Sequence, residues 1–220
     1  ALWERRLQGA TLTAALVYAS LLPPLFWAER GSLVGLAALA ALWGQGWRRW
    51  QFNVFAVFAL LNGLLVLALH NLTAGVERGP LSQLHLFAAA PLLLAAAGSL
   101  QRSEAAPGTA DERSLARVAG WPLLLIGLLL GGSALYGQWT GSETTFTRLW
   151  TLPLLAAPLL PAARWLRWRE LSQTLWALLP LFALHCLSHH LHQPWTLATG
   201  LHLAAVSALN FPILASRPRP

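Results

Sequence analysis

The sequence predicts an all-α fold, a polytopic transmembrane bundle of about eight helices arranged in two similar four-helix halves. Leu and Ala dominate the 220 residues, of which 56% are hydrophobic and only 10% are charged, whereas about a quarter of the residues in a soluble globular domain are charged. The apolar residues fall into long runs separated by short polar joints, as expected where lipid is the solvent. Composition and run length together predict an integral membrane protein.

Eight apolar runs approach or reach the length of about 20 helical residues that crosses about 30 Å of hydrocarbon. They are 7–27, 31–46, 52–70, 81–100, 119–137, 149–163, 171–191 and 195–214. The runs 31–46 and 149–163 are short, so they either cross a locally thinned bilayer or fold back as re-entrant segments. The polar joint 101–118 is predicted to be a cytoplasmic linker between a first four-span half, 1–100, and a second, 119–220.

The arginines give an independent count of the crossings. All fifteen basic residues are arginines, and positive residues in short loops favour the cytoplasmic side. With eight crossings and a cytoplasmic N-terminus, twelve arginines lie inside and only Arg30, Arg78 and Arg148 lie outside. Without the two short crossings the count becomes nine inside and six outside. Eight crossings with both termini cytoplasmic is therefore the predicted topology.

Tryptophan placement agrees with this topology, because indole prefers the headgroup region. Of the twelve tryptophans, eleven fall at or near the ends of predicted spans, and only Trp176 lies well inside one. The net charge of +7 does not indicate a nucleic-acid partner, since the arginines stand singly or in small groups between apolar runs and form no basic face.

Two pairs of short motifs predict an internal repeat. The segments 47–50 (Trp-Arg-Arg-Trp) and 165–168 (Trp-Leu-Arg-Trp) are 118 residues apart, and the Leu-His-Leu segments 84–86 and 201–203 are 117 residues apart. A nearly constant offset is the pattern of a duplication, and two units with an even number of crossings share one orientation.

Histidines are the candidate ligands of a metal or haem iron, because neutral imidazole binds both and all of them fall toward the predicted outer side. The candidates are His70, His85, His185, His189, His192 and His202. Three of them, His185, His189 and His192, share one helix face. Hydrogen bonding at the interface without any ligand is the simpler interpretation, and haem or zinc is the alternative.

Enzyme activity is not predicted, and no catalytic residue is assigned. Ligand motifs such as H-E-x-x-H are absent, as is a G-x-S-x-G nucleophile turn. All eight acidic residues fall in predicted loops or span ends, which lowers the expectation of an ion-coupled transporter.

The lipid bilayer is the predicted partner, with other membrane subunits or the rest of a longer parent chain as further ones. Arg164, Arg167 and Arg169, interleaved with Trp165 and Trp168, form a basic aromatic group suited to anionic lipid headgroups or to anchoring the topology. Three functions stay open: a structural or scaffolding membrane domain, which is favoured, a transporter or channel subunit, and a haem- or metal-binding redox subunit.

The last part of the chain carries a family resemblance, over residues 165–215. The segment 167–173 (Arg-Trp-Arg-Glu-Leu-Ser-Gln), His192-Gln-Pro194 and the closing Phe211-Pro-Ile-Leu resemble the large, repetitive Ala/Leu/Trp-rich predicted inner-membrane proteins of high-GC bacteria. The resemblance implies a bacterial inner-membrane location and no assigned role. Because the chain begins at Ala1 and has no Met, we expect it to be a fragment or a processed product.

Overall fold

The chain consists of two compact units, Ala1–Gln138 and Trp139–Pro220. The computed structural model describes residues 2–26, 29–50, 52–73, 84–102, 110–138, 158–175 and 177. All of the regular secondary structure in these residues is helical, which confirms the all-α class.

The first unit contains five long helices. They are α1 (Leu2–Phe26), α2 (Glu29–Trp50), α3 (Asn53–Thr73), α4 (Leu84–Gln101) and α5 (Ala110–Gln138). Helices α1, α3 and α4 follow the predicted spans closely, whereas α2 and α5 are longer than the apolar runs 31–46 and 119–137. Both helices continue into the flanking polar segments. Hydropathy predicts which part of a helix is suited to lipid, but the backbone hydrogen bonds of the helix can continue beyond that part.

Four of these helices form a ring. Helix α2 packs against α3 and α4, and α5 packs against the same two helices, whereas α3 and α4 scarcely touch each other. Helices α3 and α4 are therefore diagonal neighbours although they follow one another in sequence. Helix α1 lies outside the ring and packs mainly against α2.

Contacts at small residues show the relative direction and the close spacing of α4 and α5. A Cβ built on Gly127 would lie 3.3 Å from the Ala90 carbonyl oxygen, and one built on Gly120 would lie 3.3 Å from the Ala97 carbonyl oxygen. Gly120 pairs with Ala97, and Gly127, seven residues later, pairs with Ala90, seven residues earlier. Helices α4 and α5 are therefore antiparallel, with two small residues seven positions apart on each helix. Small residues at such seams let helix backbones approach closely.

Helices α2 and α4 run in the same direction and are also in close contact. A Cβ on Gly44 would lie 3.0 Å from the Ala96 carbonyl oxygen and 3.4 Å from the Ser99 Cβ. The Gln45 side-chain amide donates a hydrogen bond of 2.8 Å to the Ser99 hydroxyl. The C-terminal ends of α2 and α4 therefore lie side by side.

Three helical segments are long and apolar enough, by length and composition, to cross a membrane. They are Asn53–Leu72, Leu84–Gln101 and Arg113–Leu135, and a shorter apolar stretch, Thr11–Leu25, lies in α1. The outer faces of α3 and α5 expose large aliphatic side chains suited to lipid, among them Leu61, Leu64, Leu65, Leu125 and Leu129. These segments match three of the predicted spans.

In the second unit the structure describes two short helical stretches, 158–165 and 169–175. A compact corner joins them. The Arg167 N–H donates to the Arg164 carbonyl (3.0 Å) and the Trp168 N–H donates to the Ala163 carbonyl (2.7 Å), while Arg167 has a φ of 52°. This pair of bonds around a left-handed residue is the Schellman ending of a helix, in which glycine usually takes the left-handed position.

Candidate functional site

The two histidines that the structure describes lie at one end of the first unit. His70 is in the last turn of α3 and His85 is in the first turn of α4, and both side chains are half-buried. Helix α3 starts at the hairpin that follows α2, so its last turn lies at the far end of the bundle. Helix α4 ends beside the C-terminus of α2, so its first turn lies at that same far end. Since α3 and α4 are diagonal neighbours, the fold does not pack the two helices against each other along their length.

The metal or haem site stays a prediction. His185, His189, His192 and His202 lie outside the described residues. Within the described part of the chain, no three His, Cys, Asp or Glu side chains come together in a way that could hold a metal ion.

Arginines occupy the opposite end of the same bundle. This end is formed by the C-termini of α2 and α4 and by the start of α5, whose Gly120 packs beside Ala97. The arginines there all have exposed side chains: Arg48, Arg49, Arg102, Arg113 and Arg117. The fold thus separates an arginine end from a histidine end.

A buried amide near the middle of α3 joins this helix to the C-terminal third of α1. Asn62 is fully buried, and its amide nitrogen donates to the Ser20 hydroxyl (2.9 Å) and to the Phe58 carbonyl (2.8 Å). The Phe58 carbonyl can only accept, so it fixes which end of the amide is the nitrogen. The amide therefore acts as a polar bridge between two helices.

A second polar bridge lies at the proline pair of α1. The buried Ser32 hydroxyl, in the first turn of α2, donates a hydrogen bond of 2.9 Å to the Pro23 carbonyl. Pro23 and Pro24 lie in the last turn of α1, where carbonyls have no partner within the helix. Ser32 thus satisfies an orphan carbonyl and fixes α2 to the end of α1.

The three arginines predicted to contact anionic lipid lie around the corner of the second unit. Arg164, Arg167 and Arg169 all have exposed side chains. Trp165 is 85% exposed, whereas Trp168 is 5% exposed because it packs under the corner. The basic aromatic group therefore presents one accessible indole and three accessible guanidinium groups.

The motif pair behind the predicted repeat adopts two different conformations. Residues 47–50 continue helix α2, whereas residues 165–168 form the helix corner. The burial is also reversed, because Trp47 is buried while Trp165 is exposed. The matching segment 201–203 lies outside the described residues, so the repeat itself stays a prediction.

Sequence reasoning missed the residues that hold the helices together. Neither the pairing of Asn62 with Ser20 nor that of Gln45 with Ser99 was predicted. The available signal is a small or polar residue isolated in an apolar helix, which usually faces another helix. Gly44 carries that signal too.

The fold and its polar contacts define a class of protein: an α-helical bundle with three helices able to span a membrane, held together by small residues and by side-chain hydrogen bonds between helices. No protein-family model, no curated protein and no solved structure matches the chain.

Proposed function

We propose that this chain is a structural or scaffolding domain of a membrane, whose role is to hold helices in a fixed arrangement. The observation that carries this proposal is that polar side chains form hydrogen bonds between helices, two of them from buried donors. Asn62 and Ser32 each donate to an oxygen atom of α1, and Gln45 donates to Ser99 of α4. Each bond joins two helices, which is the work expected of polar side chains that stabilise a bundle in lipid.

Helix packing supports the same function. Gly44 lies against the backbone of α4, and Gly120 and Gly127 line the α4–α5 seam. Contacts of this kind fill the space between helices with protein and require a fixed helix register. A bundle built in this way provides a rigid support.

We further propose the topology that the arginines favour: eight crossings in two four-helix halves, in a bacterial inner membrane, with both termini cytoplasmic. The five arginines at one end of the first unit support this orientation for α2 to α5. Single cysteines at Arg49, Arg102 and Arg78, in a chain with Cys186 replaced by Ser, test it. An impermeant maleimide added to intact cells should label only the cysteine at position 78, and labelling at position 49 or 102 would contradict the proposed orientation.

Ion flux into liposomes tests the structural role against the channel alternative. Purified full-length chain should give the same K⁺, Na⁺, H⁺ and Cl⁻ flux as protein-free liposomes, because Ser20, Ser32 and Asn62 each take part in a hydrogen bond between helices. A flux that is abolished by Asn62→Leu and unchanged by Gly9→Ala would instead support a channel or transporter. Gly9 is a suitable control since nothing lies within 4 Å of a Cβ at that position.

The proposed partners are the bilayer lipids, with anionic headgroups at Arg164, Arg167 and Arg169. The helix corner supports this part of the proposal, because it exposes three cations beside an exposed indole, the combination favoured where protein meets lipid headgroups. Replacing all three arginines with Gln should lower the amount of anionic lipid that the detergent-purified chain retains, and unchanged retention would refute this part of the proposal.

A further inference from the structure

The α2–α3 hairpin presents a basic aromatic surface at the arginine end of the first unit. Arg48 and Arg49 are exposed in the last turn of α2, and Trp50 and Phe52 are 59% and 58% exposed. The surface therefore combines exposed positive charge with exposed apolar rings, next to α3, a helix able to span a membrane.

A third arginine joins this surface from the neighbouring helix. Gln45 of α2 is hydrogen bonded to Ser99 of α4, and the two helices are parallel. Arg48 is three residues after Gln45 and Arg102 is three residues after Ser99, so the two arginines lie at the same level of the bundle. The Arg102 backbone N–H donates to the Gly98 carbonyl (3.0 Å) at the end of α4. Packed helices have axes about 8–10 Å apart, a separation that two arginine side chains can bridge to a shared anionic group.

The exposed Trp50 and Phe52 rings pack against the buried ring of Phe55. Trp50 stacks on Phe55 with ring centroids 5.5 Å apart and planes at 28°. Phe52 and Trp43 contact the same ring at 6.4 and 6.1 Å. The exposed rings are thus supported by a buried aromatic cluster, and little side-chain entropy would be lost when they contact a ligand.

We propose that Arg48, Arg49 and Arg102 bind the phosphate groups of an anionic phospholipid, with Trp50 and Phe52 flanking its glycerol and upper acyl chains. Guanidinium groups bind phosphate through paired, charge-assisted hydrogen bonds. Because the arginines come from two helix ends, a headgroup with two phosphates binds more tightly than one with a single phosphate, and a zwitterionic lipid binds weakly. This site lies in the first unit and is distinct from the Arg164 corner.

The proposal rests on membrane insertion of the chain. A phospholipid and a soluble anion can be told apart by whether the aromatic rings contribute to binding. A free phosphate ion needs only the guanidinium groups, whereas a phospholipid also uses the exposed rings. Replacing Trp50 and Phe52 with Ser should therefore weaken lipid binding and leave inorganic phosphate binding unchanged. Inorganic phosphate that binds as well as the lipid would overturn the assignment.

Native mass spectrometry of the full-length chain, released from detergent with added lipid, measures the binding. The lipids are diphosphatidylglycerol, phosphatidylglycerol and phosphatidylcholine, and the expected order of retention follows the net negative charge of the headgroup, which is two, one and zero. At about 1 kcal/mol per arginine near an anionic headgroup, each removed charge weakens binding about fivefold. Arg48→Gln with Arg102→Gln should therefore lower the affinity for diphosphatidylglycerol about 25-fold.

Matched variants separate this site from general electrostatics. Arg30→Gln removes one exposed positive charge from the opposite end of α2 and should leave the binding unchanged. Arg48→Lys with Arg102→Lys keeps the charge and should retain most of it. Repeating the test with Arg164, Arg167 and Arg169 replaced by Gln removes the contribution of the second unit. An equal loss with Arg30→Gln would refute the proposal. So would an Arg48→Gln, Arg102→Gln variant that stays helical and still prefers diphosphatidylglycerol over phosphatidylcholine as strongly as the unmodified chain does.

Discussion

Replacing Gly44 with Ala is the sharpest test of the close contact between α2 and α4. The added Cβ would lie 3.0 Å from the Ala96 carbonyl oxygen and 3.1 Å from its Cα, where ordinary carbon contacts are about 3.5–4.0 Å. Both atoms belong to the backbone of α4, so they cannot rotate away, and the two helices must separate. Overpacking of this kind costs about 1–3 kcal/mol.

The higher helix propensity of Ala offsets part of the cost of overpacking, and a control variant measures the propensity gain alone. Ala is favoured over Gly in a helix by about 1 kcal/mol, so the net destabilisation by Gly44→Ala should be about 0–2 kcal/mol. Gly9→Ala gains the same propensity with nothing within 4 Å of its Cβ, and it should stabilise the protein. The difference between the two variants, about 1–3 kcal/mol, is the contact term.

Reversible unfolding of the purified chain in mixed detergent micelles, followed by far-ultraviolet circular dichroism, gives both free energies of unfolding. Gly44→Val should be less stable than Gly44→Ala because two further methyl groups meet the same backbone. If Gly44→Ala is as stable as Gly9→Ala, the helices are not in backbone contact at this position and the reasoning fails.

Three further predictions follow from the hydrogen bonds, the helix corner and the histidines. A double-mutant cycle of Asn62→Ala and Ser20→Ala should give a coupling energy of about 0.6–1.7 kcal/mol, and zero coupling would mean that the bridge is not formed. Arg167→Gly should stabilise the second unit by about 1 kcal/mol because the left-handed conformation strains any residue with a Cβ. Arg167→Val should lower the thermal midpoint of unfolding. A lower midpoint for the Gly variant than for the Val variant would exclude the corner. Purified protein should show no Soret absorbance and less than one zinc per chain, and stoichiometric metal lost with His70→Ala and His85→Ala would support the metal alternative.

The sequence predicted the helical class and the positions of several helices because both depend on local composition. The runs 52–70 and 81–100 correspond to α3 and α4, since in these segments the apolar stretch and the helix end nearly together. The predicted linker 101–118 is partly helical, because α5 begins at Ala110. Helix-favouring residues such as Leu115 and Ala116 continue the hydrogen-bonded backbone beyond the apolar run.

The candidate site was less predictable because it depends on which helices are neighbours. The position of His70 at the end of one span and His85 at the start of the next placed both at one end of the bundle, as the structure has them. Which helices pack together was not predicted, and α3 and α4 are diagonal although they follow one another in sequence. Pairings such as Gly44 with Ala96 depend on the register between two helices, which hydropathy does not encode.

The diagonal position of α3 and α4 gives the bundle an order of assembly. During synthesis α3 can pair with α2 as soon as both are made, and α4 then joins the free side of α2, which leaves α3 and α4 with one shared neighbour. Among the five helices of the first unit that the structure describes, α5 contacts both of them on the other side. A nascent chain ending before Ala110 would therefore carry an open groove between two apolar helices, and α5 is the element that closes it.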